Sequence, residues 1–366
     1  MTFKKYRFSK ELKDDFFGTV RSRVNAYFKS TNKSKFGNTE MVIKTVVMFA
    51  LYLVPLGLML SGVFTAWWVI VPLWIVMGTG MAGVGLSVMH DANHGVYSSS
   101  KRLNKWLGYS MNLIGSNAMI WKIQHNVLHH SYTNIDGADD DINVSGILRL
   151  SPNQKRRGIH RFQYIYAWFA YGLMTLLRTF VSDFTKLFKY RKMGLIKPGR
   201  PFGVAFVKLS LWKLFYVGYI LVLPMVLMPV SPWLIVLCFL LMNFVTGFIL
   251  AVIFQTAHIM PNTVFPVPDE QGTMENSWAV HELITTTNFA PSSRVFSWLI
   301  GGLNYQVEHH LFADICHVHY RKISKIVAET AKEFGLPYNT QRTFLSAIWQ
   351  HGQMLKTLSR PVRLQV

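Results

Sequence analysis

Two long stretches of this chain carry no charged side chain. Between Thr45 and His90, and again between Leu214 and His258, there is no Asp, Glu, Lys or Arg. Each run is roughly 45 residues, and a bilayer core takes about 20 apolar residues per helical pass, so each is long enough for two helices and a tight turn. Ser61-Gly62 and Pro229-Val230-Ser231-Pro232 supply the turns. The pattern predicts an all-α membrane protein with four transmembrane helices in two hairpins, at about 43–63, 66–89, 209–229 and 233–257. The remaining helical segments would form a cytoplasmic cap. A further apolar run, Phe162 to Leu177, is rich in Tyr and Trp and reads as an interfacial helix. A fifth span there would set the last histidine cluster across the membrane from the others.

The same reading divides the chain into an N-terminal interfacial arm (1–40), a membrane domain (41–340) and a C-terminal cytoplasmic helix and tail (341–366). The arm holds an amphipathic segment from about Lys10 to Tyr27, expected on the lipid headgroups. The last segment, Gln341 to Leu358, reads as a soluble helix. The opening residues lack the apolar core of a signal peptide, so the first span is expected to direct insertion.

Charge changes the picture in two ways. Apart from Lys44 at the start of the first span, the Lys and Arg residues fall in the N-terminal arm, in 91–213 or in 259–366, regions that four spans place on one side, which the positive-inside rule makes cytoplasmic. The net charge of +20 then suits anionic headgroups and an acidic protein partner. Scattered among apolar spans, with no recognition motif, these basic residues do not suggest nucleic acid. Cys238 and Cys316 are too few and too far apart for a disulfide framework.

The candidate chemistry lies in the histidines. Three clusters, His90-Asp-Ala-Asn-His94, His125-Asn-Val-Leu-His129-His130 and Gln306-Val-Glu-His309-His310, each come just after an apolar or amphipathic segment, and His258 closes the fourth span. An i, i+4 pair on a helix aims two rings at one ion, as His90/His94 and His125/His129 would. Eight ligands exceed one ion's needs and suit two. Asp91, Asp139, Asp140 and Asp141 are candidates to orient ring N–H groups, and His281 to stand behind the metals. His160, His317, His319 and His351 lack such pairing and are expected at the surface. Gly78-Thr-Gly80-Met-Ala-Gly83 matches a dinucleotide fingerprint but lies inside a span with no preceding strand, so close helix packing accounts for it better.

His-Asp-x-x-His, His-x-x-x-His-His and Gln-x-x-His-His, in order and with four spans, resemble the integral-membrane fatty acid desaturases. Gln306 at the head of the last cluster resembles the front-end subgroup, which inserts a double bond between an existing one and the carboxyl end, as Δ6-type linoleoyl desaturases do. The resemblance implies a ligand set of His90, His94, His125, His129, His130, His309 and His310 with His258 as the eighth and Gln306 beside the metals, two iron ions, and O2 as co-substrate. It implies a fatty acyl-CoA or acyl-lipid substrate. The chain lacks the His-Pro-Gly-Gly haem motif that many front-end members carry, so electrons are expected from a separate cytochrome b5 or ferredoxin. A bacterial inner membrane is expected over the endoplasmic reticulum, with termini and active site in the cytoplasm.

Three other readings use the same residues. A lipid or alkane hydroxylase would share the scaffold and differ in the fate of the first carbon radical. A zinc-dependent lipid hydrolase needs about three ligands and a water, leaving the other histidines without a role. A metal transporter would carry ionisable groups along its spans, and the runs from Thr45 to His90 and from Leu214 to His258 are free of charge.

Overall fold

In the computed structural model, which describes residues 5–9, 15–144 and 146–361, the apolar runs form four long helices: Thr39–Leu60, Trp67–His94, Arg200–Leu227 and Pro232–His258. Among the described residues these are the four long and apolar enough to cross a membrane. The first begins earlier than its hydropathy suggests because Asn38 caps it, accepting from the Met41 N–H at 3.3 Å, with Glu40 in the first turn. The third begins at Arg200 rather than near 209, since its two lysines are accommodated differently. Lys208 is exposed, whereas Lys213 is buried and donates to Asp183 Oδ2 (2.6 Å), the Gly115 carbonyl (2.7 Å) and the Arg178 carbonyl (3.0 Å). A paired ammonium does not end a span.

The chain divides into two compact units. Of the described residues, one comprises 38–123 and 168–251; the other comprises 5–9, 15–37, 124–144, 146–167 and 252–361. Within the first, glycines let the spans meet at backbone distance. A Cβ on Gly80 would come within 2.6 Å of the Leu51–Tyr52 backbone, and one on Gly78 within 2.8 Å of the Met242 carbonyl. Thr246 donates to the Gly78 carbonyl at 2.9 Å. Helix packing is therefore the role of the glycine-rich motif. Tyr52 and Tyr219 share a 2.6 Å hydrogen bond, and Tyr219 donates to the Leu113 carbonyl.

The second unit is helical, with two parallel pairs of very short strands: β1 (Arg7–Phe8) with β2 (Thr273–Met274), and β3 (Asn288–Phe289) with β4 (Thr340–Gln341). The N-terminal helix is Phe16–Thr31; the expected start near Lys10 falls outside the described residues. Its apolar stripe, Phe16, Val20 and Val24, is buried in a protein core with Leu283, Val327 and Ala331 rather than left for headgroups. The helix Tyr320–Glu333 takes that face, and Arg23 clasps Glu333 through both guanidinium nitrogens at 2.8 and 2.7 Å. The expectation of a lipid-bound arm is corrected for this helix: its apolar face already has a protein partner.

Candidate metal centre

The first histidine pair sits on the second span itself. A π-helical turn, Val84–Val88, precedes the final α-helical residues Met89–His94. Such turns insert a residue into the helical ladder and re-aim the side chains beyond it. The His90 and His94 rings lie 4.7 Å apart, each edge-on to Trp121 at 5.7 and 5.8 Å, and His90 Nδ1 meets Asp91 Oδ1 at 3.2 Å. This pair belongs to the first unit.

The second unit gathers the other six candidate ligands; His125 and His129 share a group with Asp141, and further groupings go beyond the i, i+4 expectation. Residues Ile123–His129 are π-helical, and the wider turn brings positions i and i+5 to the same side. His125 Nε2 accordingly meets His130 Nε2 at 3.2 Å. His309 Nε2 lies 3.0 Å from His130 Nε2 and 3.4 Å from His125 Nε2, closing a triangle. His129 groups instead with His258 and His310, their ligand atoms within 4.8 Å of one another. His309 and His310 also come together on His130, so His130 and His309 stand between the two sets.

The two sets fit metal ions. A transition metal–imidazole bond of about 2.1 Å separates two nitrogens on one ion by about 3.0 Å at a right angle and about 3.4 Å at the tetrahedral angle. The His125–His130–His309 triangle spans that interval. In the other set the outer nitrogen of each ring is tied to an acceptor. His129 Nδ1 donates to Asp139 (3.1 Å), His258 Nδ1 to the Thr285 carbonyl (3.3 Å) and His310 Nδ1 to Glu282 Oε2 (2.6 Å). That bonding puts each proton on Nδ1 and the lone pair on Nε2. His129 Nε2 and His258 Nε2 are buried without a hydrogen-bond partner, as ligand atoms for an ion would be.

Electrostatics points the same way. Burial pushes the Glu282 carboxyl up to about 8, against the pull of Thr133 and His129. Burial also opposes charging of His129, but Asp139, Asp141 and Glu282 overcome it and raise that ring to about 9. Asp139 thus favours positive charge at His129, the charge that a bound cation would supply in place of a proton.

A further shell holds the ligands. Asp139 accepts from the backbone N–H groups of Asn134 and Asp141, each at 2.9 Å. Asn134, with a left-handed φ of 60°, donates from its side chain to the carbonyls of His258 (3.0 Å) and Val264 (3.2 Å). Thr133 donates to Glu282 at 2.9 Å. Glu308, which burial raises to about 7, accepts from Asn288 (2.9 Å) and Tyr338 (2.8 Å) and so fastens the last cluster to β3. Trp278 donates to the His130 carbonyl, and Tyr320 meets His309 Nδ1 at 3.3 Å.

Among the sequence candidates for supporting roles, Gln306 is buried, donates to the Leu303 carbonyl at 2.8 Å and reaches toward His258. His281 Nε2 meets the Thr133 carbonyl at 2.9 Å, and burial lowers the ring to about 4, so it stands as a neutral strut. Asp140 is buried, but the carboxylate on His129 is that of Asp139. Phe289 packs on Phe296 and Phe344. His160, His317, His319 and His351, expected at the surface, are all buried. His160 and His351 bond the Gly146 and Ile259 carbonyls, and His319 bonds that of Phe36. Imidazole's two nitrogens make it as useful for tying loops as for binding metal. Glu282, Thr133 and Asn134 were not legible as site residues; their only signal is polarity within otherwise apolar or turn-rich segments.

The sequence profile of fatty acid desaturases matches residues 65–342. The chain belongs to the fatty acid desaturase family. It is 35% identical over 340 residues to an sn-1 linoleoyl-lipid 6-desaturase of Arthrospira platensis, covering 93% of this chain and 91% of that one. It is 34% identical to an sn-1 linoleoyl-lipid 6-desaturase of Synechocystis sp., covering 95% and 96%. It is 35% identical to an acyl-lipid (8-3)-desaturase of Physcomitrium patens, covering 94% and 71%. This desaturase is therefore a membrane oxidoreductase of lipid metabolism with a histidine-rich metal centre.

Proposed function

We propose that this desaturase is an O2-dependent di-iron enzyme of the front-end kind, adding a cis double bond on the carboxyl side of an existing one in a lipid-borne acyl chain. The observation that carries the chain position and the carrier is the pair of linoleoyl-lipid 6-desaturases matched over nearly their whole length. Gln306 ahead of His309-His310 supports the same subgroup. Acyl-CoA is the other carrier, and the order in which product appears separates the two.

Iron is favoured because the ligand set is nitrogen-dominated and the reaction is an O2-dependent oxidation. In this reading His125, His130 and His309 hold one ion, and His129, His258 and His310 hold the other. His90 and His94, with Asp91 on His90, complete the ligand set. When bound, the irons supply the oxidising power, drawn from O2 and two electrons, that breaks unactivated C–H bonds. Two acyl hydrogens and two protons leave with O2 as two waters. Asp139, the Thr285 carbonyl and Glu282 keep ring protons on Nδ1 and lone pairs on Nε2. Fixing the ligands in this way fixes where the acyl carbon must sit. Trp121, edge-on to His90 and His94, supplies aromatic surface that excludes water there.

The electrons come from a separate acidic carrier, a cytochrome b5 or a ferredoxin, steered by the net charge of +20. The termini and active site face the cytoplasm, in a bacterial inner membrane. The test is expression in a host without polyunsaturated lipid, fed linoleate, with fatty acids and intact lipids profiled by mass spectrometry beside a His309→Ala, His310→Ala variant. A triene with its new bond on the carboxyl side, appearing first in glycerolipid, supports the reading. Appearance first in acyl-CoA overturns the carrier, a bond elsewhere overturns the regiochemistry, and a hydroxy acid indicates the oxygenase on this scaffold.

A further inference from the structure

Two helices of the second unit each leave an apolar pair bare. On Arg294–Leu299 these are Val295 and Leu299, and on Phe344–Leu358 they are Leu345 and Trp349, which are 77% and 66% exposed. Each pair is spaced i, i+4 and so shares one helix face. The helices are joined through rings: Phe296 and Phe344 lie 4.7 Å apart, and Phe289 stacks on Phe344 at 5.5 Å. The half-buried rings face the protein and leave the four side chains outside. An exposed arginine precedes each pair, Arg294 and Arg342. No Asp or Glu occurs from Ala290 to Asn304 or from Phe334 to Pro361, while Lys356 and Arg360 are also exposed.

We infer that this two-helix face is a membrane-interface surface, resting on anionic phospholipid of the bilayer that the spans cross. A soluble helix, as the sequence pattern suggested for the last segment, has no reason to leave Leu345 and Trp349 bare. A chain with four spans keeps a bilayer beside it, and tryptophan with flanking arginine is the composition favoured at the headgroup level. Basic residues without acidic neighbours match phosphate headgroups. A second copy on a two-fold axis would set these arginines against themselves. An electron carrier that must come and go is held mainly by charge, whereas the centre of this face is apolar and its charge lies at the margin. The inference rests on the spans and this face, not on the proposed regiochemistry.

The test uses the full chain in single-copy nanodiscs containing phosphatidylglycerol, with an environment-sensitive fluorophore on Leu345→Cys or Val295→Cys. Exposed Lys332→Cys is the aqueous control, and wild type, whose Cys238 and Cys316 are buried, is the labelling blank. The expected result is a blue-shifted emission at both sites and several-fold stronger quenching by chain-brominated lipid than at Lys332→Cys. Arg294→Ser with Arg342→Ser should weaken that quenching in anionic nanodiscs and leave it unchanged in phosphatidylcholine alone. Quenching by aqueous iodide equal to that of the control would overturn the inference. Protection that appears only when a reduced carrier protein is added would overturn it as well, and would reassign the face to that carrier.

Discussion

Asp139→Asn offers a direct test of how the second histidine set is held. In the native site both carboxylate oxygens are occupied: Oδ1 accepts from the Asp141 N–H and Oδ2 from the Asn134 N–H, each at 2.9 Å, while His129 Nδ1 stands 3.2 and 3.1 Å from the two. Burial alone would raise this carboxyl, but His129 and those two N–H groups hold it below its usual range, so it carries a full negative charge. An asparagine amide has one acceptor where the carboxylate has two. Whichever way it turns, its NH2 faces a backbone donor, and the nearer charge opposite His129 is lost, leaving Asp141 Oδ2 at 3.6 Å. Removing such an outer partner of a metal-bound imidazole costs about 10- to 100-fold in metal affinity, or about 1.4–2.7 kcal/mol. The assay is anaerobic Fe(II) titration of purified apoprotein against a competing chelator, counting iron per chain. One of the ions should weaken by that factor, and Asp140→Asn, the control, should bind close to wild type. Equal weakening by Asp140→Asn, or full affinity in Asp139→Asn, would refute the assignment of the anchor to Asp139.

Two buried groups away from the metal centre give further expected outcomes. Lys213→Met strips Asp183 of its buried partner, a loss of about 3–5 kcal/mol, whereas Lys213→Met with Asp183→Leu should regain most of it; thermal unfolding in detergent measures both, and a double variant no better than the single one would show that the pair itself is not the source. Burial lowers His351 to about 4, against its bond to the Ile259 carbonyl, while an unfolded histidine titrates near its ordinary value of 6.5. The unfolded chain therefore takes the extra proton first, and stability should fall as pH drops from 6.5 to about 4 and level off below, by about 3 kcal/mol at most. His351→Gln should flatten that slope, and an unchanged slope would place the acid sensitivity elsewhere.

The runs without charge and the order of three histidine clusters determined the architecture and the chemistry before any contact was known. Hydropathy over a window is a local property, so the four spans were legible to within a few residues, except where a buried partner such as Asp183 let Lys213 enter one. Eight histidines at span ends and in short motifs likewise announced a metal centre. Tertiary structure alone decided which ring joins which. The π-helical turns at Val84–Val88 and Ile123–His129 are a matter of ladder geometry that no residue spacing encodes, and beside the expected His125/His129 pair they bring His125, His130 and His309 together. Glu282 and Asn134 lie far along the chain from the groups they hold, His310 and His258, and only folding brings them there. The same limit explains the four histidines expected outside and found inside, because what buries a side chain is the remote segment that packs over it.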